Sequence, residues 1–322
     1  MQPSDCTIYA VCIPGEKVRY EARSSIVPIM GGAYTLSSEE REALRLQGYV
    51  FDDENASLSR LNSRWGELSC ISWMILNANE KNIGNAQYRR NWLEPNDQWY
   101  DENTLYFPEP ALFNCTLEQQ FYGGHSAFDA PVITRELADS GSWIFSREEI
   151  DAIWKQNSFI GCNMARGGNV QYKQFMSALF VALAPIWHKH EEQFLRIGGY
   201  DKRALAFIAE RLITGMVLYR DKLFPGMNIA TAPIAFSAMT KKEKQAKIAK
   251  VMREYKSGKL KSSSGEAVKS PKQALAIALS EAGMTRKPKE DMSDEYYMGF
   301  FKEMIGEEEE EEEMDGSCGK KR

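Results

Sequence analysis

The sequence has few groups that titrate near neutral pH or form cross-links. Its 322 residues include three histidines (His125, His188 and His190) and six cysteines. No two cysteines have C-x-x-C spacing, and their gaps follow no zinc-ribbon pattern. Six scattered thiols in a chain this long read as reduced rather than as a disulfide framework, which points to an intracellular compartment. Met1 to Gly15 lacks a basic segment followed by a long apolar one, so no secretory leader is read there. No apolar run approaches the ~20 residues that span a bilayer. The expectation is a soluble, cytoplasmic protein. G-x-G-x-x-G, G-x-x-x-x-G-K-[ST] and G-x-S-x-G are all missing, so the common dinucleotide, P-loop and hydrolase readings have no support.

What remains is ordinary globular material: 43% hydrophobic, 26% charged and 11% aromatic. That balance excludes a collagen, a multi-span membrane protein and a chain disordered throughout. The net charge of -5 hides a strong asymmetry. Residues 1–239 carry 22 basic and 28 acidic side chains, and all seven tryptophans. Residues 240–290 carry 14 basic and 5 acidic, and residues 291–322 carry 4 and 12. We therefore expect a packed domain over 1–239, a basic helical appendage over 240–290 and a disordered acidic tail over 291–322, which includes Glu307–Glu313.

Periodicity gives the coarse elements. Ile8–Ile13 and Ile26–Ile29 read as strands, the second closed by Gly31-Gly32. Arg64–Asn77 has helical spacing and leads into a strand from Asn82 toward Tyr88. Tyr172, Phe175, Met176, Leu179, Phe180 and Leu183 form one apolar stripe, and Pro185 is expected to limit that helix. Ala204–Tyr219 gives another helix. In the appendage, helices are expected over Lys241–Lys256 and Pro271–Ala282, separated by the Ser/Gly break at Lys261–Gly265. Strands followed by helices imply an α/β domain with a helical second half.

Several residue groups carry possible chemistry. Asp52-Asp53-Glu54 is either a divalent-ion site, since carboxylates are the hard ligands such ions take, or an ordinary surface turn. His125 and Asp129, four apart, would share a face on a helix, as a metal or base–orienter pair or as a plain polar pair. His188 and His190 are two apart, do not face one side of a helix, and read as a polar helix end. Tyr88-Arg89-Arg90 lies where a strand ends. Ligands bind there in open α/β folds, and two guanidiniums can grip a diphosphate by charge-assisted hydrogen bonds.

Four segments carry a resemblance. They are Ile26-Val-Pro-Ile-Met-Gly-Gly32; Asp53-Glu-Asn-Ala-Ser57 with Asn62, Glu67-Leu68 and Trp73; Ile83-Gly84 with Tyr88-Arg89-Arg90; and Ala206-Phe-Ile-Ala-Glu-Arg-Leu212. In this order they resemble the bacterial capsular-polysaccharide synthesis family of glycosyltransferase-like proteins, some of whose members are galactofuranosyltransferases. Phe159–Met164 also fits the family's order. The resemblance covers roughly residues 20–235. It implies a GT-A-like single glycosyltransferase domain that moves a sugar from a nucleotide-sugar donor, in the first instance a UDP-sugar, to a glycan or other acceptor. Carried over residue by residue, it implies donor contacts from Asp53, Asn55, Glu67, Gln87, Tyr88, Arg89 and Arg90. An acceptor base would be His125 or Asp129. Asp52 and Asp53 would hold a divalent metal such as Mn if one is used.

One position departs from the pattern: the family's histidine before Tyr-Arg-Arg is Gln87 here, and an amide does no acid–base work near neutral pH. The alternative is therefore an inactive, glycosyltransferase-like binding or virion-associated protein. Tyr255–Gly265, Val268–Ser270 and Gln273–Gly283 are similar to a short basic module of phage and large-virus proteins. That similarity implies a viral source, with host cytoplasm or virion as the location. The basic stretch itself admits an anionic partner, nucleic acid or lipid.

Overall fold

Short runs of β-branched and apolar residues build the sheet. Cys-Thr-Ile-Tyr-Ala-Val-Cys forms β1 (Cys6–Cys12), in which all but one residue is buried, as a strand covered on both faces requires. The computed structural model describes residues 6–19, 25–55, 58–93, 101, 103–125, 127–237, 241–260 and 267–282. The further strands are β2 (Ile26–Met30), β3 (Val50–Phe51), β4 (Asn82–Gln87), β5 (Arg90–Trp92), β6 (Thr104–Pro108), β7 (Ala111–Leu112), β8 (Ser158–Phe159), β9 (Arg166–Gly168), β10 (Asn228–Ala232) and β11 (Ile234–Phe236). The main sheet runs in the order β10-β6-β9-β4-β1-β2-β3. β1 pairs in parallel with β2 on one side and β4 on the other, and β2 pairs in parallel with β3. β9 lies antiparallel between β4 and β6, and β10 pairs in parallel with β6. β5 links β4 to β11, while β7 and β8 form a separate pair. Glycine is required where β9 enters: a Cβ on Gly84 would lie 2.4 Å from Arg166 Cβ, and one on Gly167 would lie 2.3 Å from the Thr104 carbonyl oxygen.

The chain divides into two compact units, Met1–Ser237 and Ala238–Arg322. The first contains α1 (Ser38–Arg45), α2 (Asn62–Trp65), α3 (Leu68–Asn77), α4 (Leu117–Gly124), α5 (Ala130–Asp139), α6 (Arg147–Lys155), α7 (Asn169–Arg196), α8 (Ala204–Leu218) and α9 (Arg220–Leu223). Capping boxes built by Ser37 with Glu40, Thr116 with Gln119, and Ser146 with Glu149 start α1, α4 and α6. The apolar stripe of α7 is buried at Tyr172, Phe175, Met176, Leu179 and Leu183, and α8 is buried on nearly every side. Each such side chain stabilises the fold by about 1.5–3 kcal/mol.

Two helices differ from the sequence expectation. The helix read over Arg64–Asn77 is broken at Gly66, whose φ of 56° lies in the left-handed region, so α2 and α3 are separate. Pro185 does not end α7, which continues to Arg196 and kinks at His190. Pro185 removes the helical donor of the Val181 carbonyl, and the next carbonyl, Ala182, takes an added donor from the Trp143 indole at 2.9 Å. His188 and His190 therefore lie within α7 and not beyond it.

The second unit contains α10 (Lys241–Lys256) and α11 (Pro271–Glu281). Ile248, Val251 and Met252 of α10 share one buried cluster with Ala274, Leu275, Ala278 and Leu279 of α11. The Ser/Gly break at Lys261–Gly265 and the acidic tail 291–322 lie outside the described residues. Among the described residues no helix is long and apolar enough to cross a membrane, and Cys6, Cys12, Cys70, Cys115 and Cys162 are free thiols.

Candidate active site

The order of the parallel strands fixes where a ligand can sit. From β1 the chain steps outward to β2 and β3, then returns to place β4 on the other side. In open α/β sheets ligands bind beside such a reversal, outside the carboxyl ends of the strands, which here means β1 and β4. Backbone bonds tie this edge together: Tyr88 N–H donates to the Val11 carbonyl at 2.8 Å, and Arg19 N–H to the Tyr88 carbonyl at 2.8 Å. The guanidiniums of Arg19 and Arg89 both lie over the Tyr88 ring, at 5.1 and 5.5 Å.

Gln87 is the last residue of β4. Its amide oxygen accepts from the Arg90 guanidinium, and its Nε2 donates to the Cys162 carbonyl at 2.9 Å and toward Glu67 Oε1 at 3.4 Å. Glu67 Oε1 also accepts from Asn163 Nδ2 at 2.9 Å. Cys162 and Asn163 have φ of 76° and 48°, two consecutive left-handed residues without a glycine. Such backbone costs about 1–3 kcal/mol per residue and persists only where the surroundings over-determine it. Here they do. Cys162 N–H donates to Glu210 Oε1 at 2.7 Å, Asn163 Nδ2 donates to the Ala206 carbonyl at 3.0 Å, and Asn85 Nδ2 donates to the Asn163 carbonyl at 2.8 Å. Among the described residues no protein group reaches the buried Arg90 Nε or Asn163 Oδ1.

Glu210 sits on α8 beside Arg211, whose guanidinium donates to Glu210 Oε2 at 3.1 Å and to Gln120 Oε1 at 2.6 Å. Burial pushes the Glu210 carboxyl above the ordinary carboxylate value; Arg211 pulls it down and Glu67 raises it further. Burial likewise raises the Cys162 thiol to about 11, against an opposing effect of Arg90. Glu67, Gln87, Arg90, Cys162, Asn163 and Glu210 are thus one connected network. From the sequence, Glu210 enters only within the Ala206–Leu212 segment, and Cys162 and Asn163 only within Phe159–Met164, none of them with a catalytic role. The available signal was asparagine's tolerance of left-handed backbone, in a segment rich in glycine.

The other candidate residues lie elsewhere. Asp52 is fully buried and accepts four hydrogen bonds: Gly32 N–H at 2.8 Å, Ala33 N–H at 3.0 Å, and the Ser59 and Ser69 hydroxyls at 2.6 Å each. Asp53 is held bidentate by Arg41 at 2.8 Å, Glu54 pairs with Arg45, and Asn55 occupies a left-handed turn with φ 58°. These acceptors are committed to protein donors, and among the described residues no three His, Cys, Asp or Glu side chains converge on a metal position. The donor set at Asp52 and Asp53 does not fit a divalent ion.

His125 and Asp129 are not a helical pair. His125 caps the end of α4 and Asp129 the start of α5, so the two belong to different helices. Asp129 accepts from Val132 N–H at 3.0 Å and from the Tyr122 hydroxyl at 2.9 Å. His125 is buried among Phe121, Phe207 and Tyr200, with Nδ1 2.8 Å from Asp201 Oδ1. Asp201 is 76 residues away in sequence, so spacing could not reveal it. Burial lowers the His125 pKa below its ordinary 6.5; Asp201 opposes this, while Arg211 and Arg203 add to it. As pH falls through 6.5, the unfolded chain takes up a proton that the folded chain resists, so stability is lost on acidification. His125→Gln should show a smaller drop in urea midpoint between pH 7.5 and 5.5 than the parent chain. An equal drop in both would remove His125 as the source.

The model of DUF4422, a domain of unknown function, matches residues 13–221. The chain belongs to this family. Its glycosyltransferase-like fold is also that of a solved structure, the apo form of the bifunctional glycosyltransferase WbbM. The two are 16% identical with a TM-score of 0.54, over 73% of this chain and 46% of that one. The chain thus spans under half the length of that structure. DUF6496, a family of unknown function, matches residues 240–288. No curated protein matches the chain. The quoted segments of this DUF4422 member are spatially coherent. Gly31 and Gly32 pack on Asn62, which bonds Ser69 at 2.8 Å, and Glu67, Gln87, Arg90 and Glu210 join one network.

Proposed function

We propose that the Met1–Ser237 unit transfers a sugar from a nucleotide-sugar donor, a UDP-sugar in the first instance, to a hydroxyl of a glycan acceptor. The observation that carries this reading is the convergence of Arg90 and two carboxylates, Glu67 and Glu210, at the carboxyl edge of β4, with Arg89 exposed beside them over Tyr88 and the reversal in strand order alongside. As the anomeric carbon–oxygen bond breaks, the electron pair leaves with the diphosphate. Charge positioned where negative charge develops is the largest stabilising term in such a step. Arg89 and Arg90 supply it, Arg90 being aimed by Gln87. An amide that accepts from Arg90 while donating to Cys162 does this positioning without titrating, so Gln87 is compatible with an active enzyme. Glu210 takes the proton of the attacking acceptor hydroxyl. Burial first, and Glu67 in addition, raise its pKa against the pull of Arg211, which makes the ionised carboxylate a stronger base. No step needs a metal.

Arg89→Ala and Arg90→Ala should each weaken UDP-sugar binding about tenfold or more, since a charge-assisted hydrogen bond contributes about 1.5–3 kcal/mol. Calorimetric titration against a panel of UDP-sugars measures this, with circular dichroism confirming that both variants fold. Unchanged donor affinity in both variants would sink the assignment.

A further inference from the structure

The second unit carries a cationic face that the transferase reading does not use. α10 turns Ile248, Val251 and Met252 into the shared core with α11. Lys247, Lys250, Arg253 and Lys256 are exposed on the remaining circumference of the same helix, and Lys259 and Lys269 are exposed in the segments between the two helices. At about 1.5 Å rise per residue, the four helical cations span roughly 14 Å of axis. Ser257 and Gln273 are exposed as well and add neutral donors. Lys250 approaches Glu254 only at 3.7 Å, across a well-exposed pair that costs little to part.

What this face lacks selects the partner. None of the large exposed apolar side chains of the chain falls among the described residues of this unit. The larger apolar residues of α10 and α11 are spent on their own core, so no apolar face of the hairpin is left to enter a lipid interface. Base stacking on single strands is likewise unsupported. Tyr255, the one aromatic among the described residues of this unit, packs against the core and donates its hydroxyl to the Lys269 carbonyl at 3.1 Å. A set of exposed cations and polar donors carried on a packed hairpin, without exposed apolar neighbours, matches a regular row of phosphates.

We propose that the α10–α11 hairpin binds the phosphate backbone of duplex nucleic acid, without reading its sequence, through Lys247, Lys250, Arg253 and Lys256.

The test is fluorescence anisotropy of a labelled DNA duplex of about 25 base pairs titrated with the full chain from 50 to 200 mM salt. With about four phosphates neutralised, affinity should fall roughly 10²-fold across that range, because each released counterion adds to the slope. The variant Lys247→Glu/Lys250→Glu/Arg253→Glu should lose most of the binding at 50 mM salt, and two unrelated duplex sequences should bind alike. Circular dichroism of the variant checks that the helices persist, and these substitutions leave Arg89 and Arg90 untouched, so donor binding reports separately. The proposal is overturned by absence of duplex binding at 50 mM salt, by affinity that ignores salt or the triple variant, or by capture of the chain on phosphatidylserine vesicles with no duplex binding.

Discussion

Glu210→Gln is expected to bind a UDP-sugar as the parent chain does and to turn it over about 10²–10⁴ times more slowly, the range by which general bases contribute. The substitution keeps the side chain's length. Its amide oxygen can still accept from the Cys162 N–H, so the left-handed turn retains its anchor. What is lost is the ability to take a proton, together with the charge facing the buried Arg211 guanidinium, so urea melts must accompany the rate measurement. The pH dependence separates this role from a structural one. Glu210 must be ionised to act, and its carboxyl is held above the ordinary 4.5 by burial first and by Glu67 in addition. Turnover in the parent should therefore rise with pH along a limb displaced upward from 4.5, and the variant's residual rate should lack that limb. Glu210→Asp should restore part of the rate and the limb together. A variant with parent-like turnover, or an unchanged acidic limb, would remove Glu210 from the chemistry.

Asp52→Ala should cost about 4 kcal/mol of stability and lower the melting temperature by roughly 10 °C. The carboxylate is the common acceptor for two backbone N–H groups and two hydroxyls from three separate stretches of chain, all inside the protein. Without it, Gly32 and Ala33 keep buried donors with nothing to donate to. Asp52→Asn offers little relief, since the new NH₂ turns a donor toward donors. Asp53, the next residue, is the control. Its pair with Arg41 is partly exposed, and Asp53→Ala should cost under about 1 kcal/mol. Thermal and urea melts of the two variants decide it. Equal effects at positions 52 and 53 would mean that Asp52 does not hold this end of the sheet.

The contrast between these neighbours also marks where sequence reasoning ends. Both aspartates sit in the same acidic triplet, and nothing in the spacing says that one faces four donors and the other an arginine. The run of apolar residues and its punctuation did locate β1, β2, β4, α8, α10 and α11 to within a residue or two. It failed at Gly66, whose left-handed backbone breaks the pattern around it, while at Pro185 the expected stop did not occur and the helix runs on past the proline. In the site, Gln87 and Arg90 were visible at the end of a recognisable strand, and Glu67, which caps α3, only through the resemblance. Glu210 enters only because α8 packs against the turn at Cys162–Asn163, a contact across 48 residues, and Asp201 reaches His125 in the same non-local way.

The placement of β10 beside β6 has a consequence for synthesis. The pair joins Asn228–Ala232 to Thr104–Pro108, stretches more than a hundred residues apart. Contacts of such separation form slowly because the loop between them must first be closed. A growing chain therefore leaves the ribosome with β6 exposed along one edge for the whole time that α4 to α9 are being made. Any stop before residue 228 makes that exposure permanent, with an unpaired apolar edge open to other chains. The helices in between, started early by their own capping boxes, are what can fold while that edge waits.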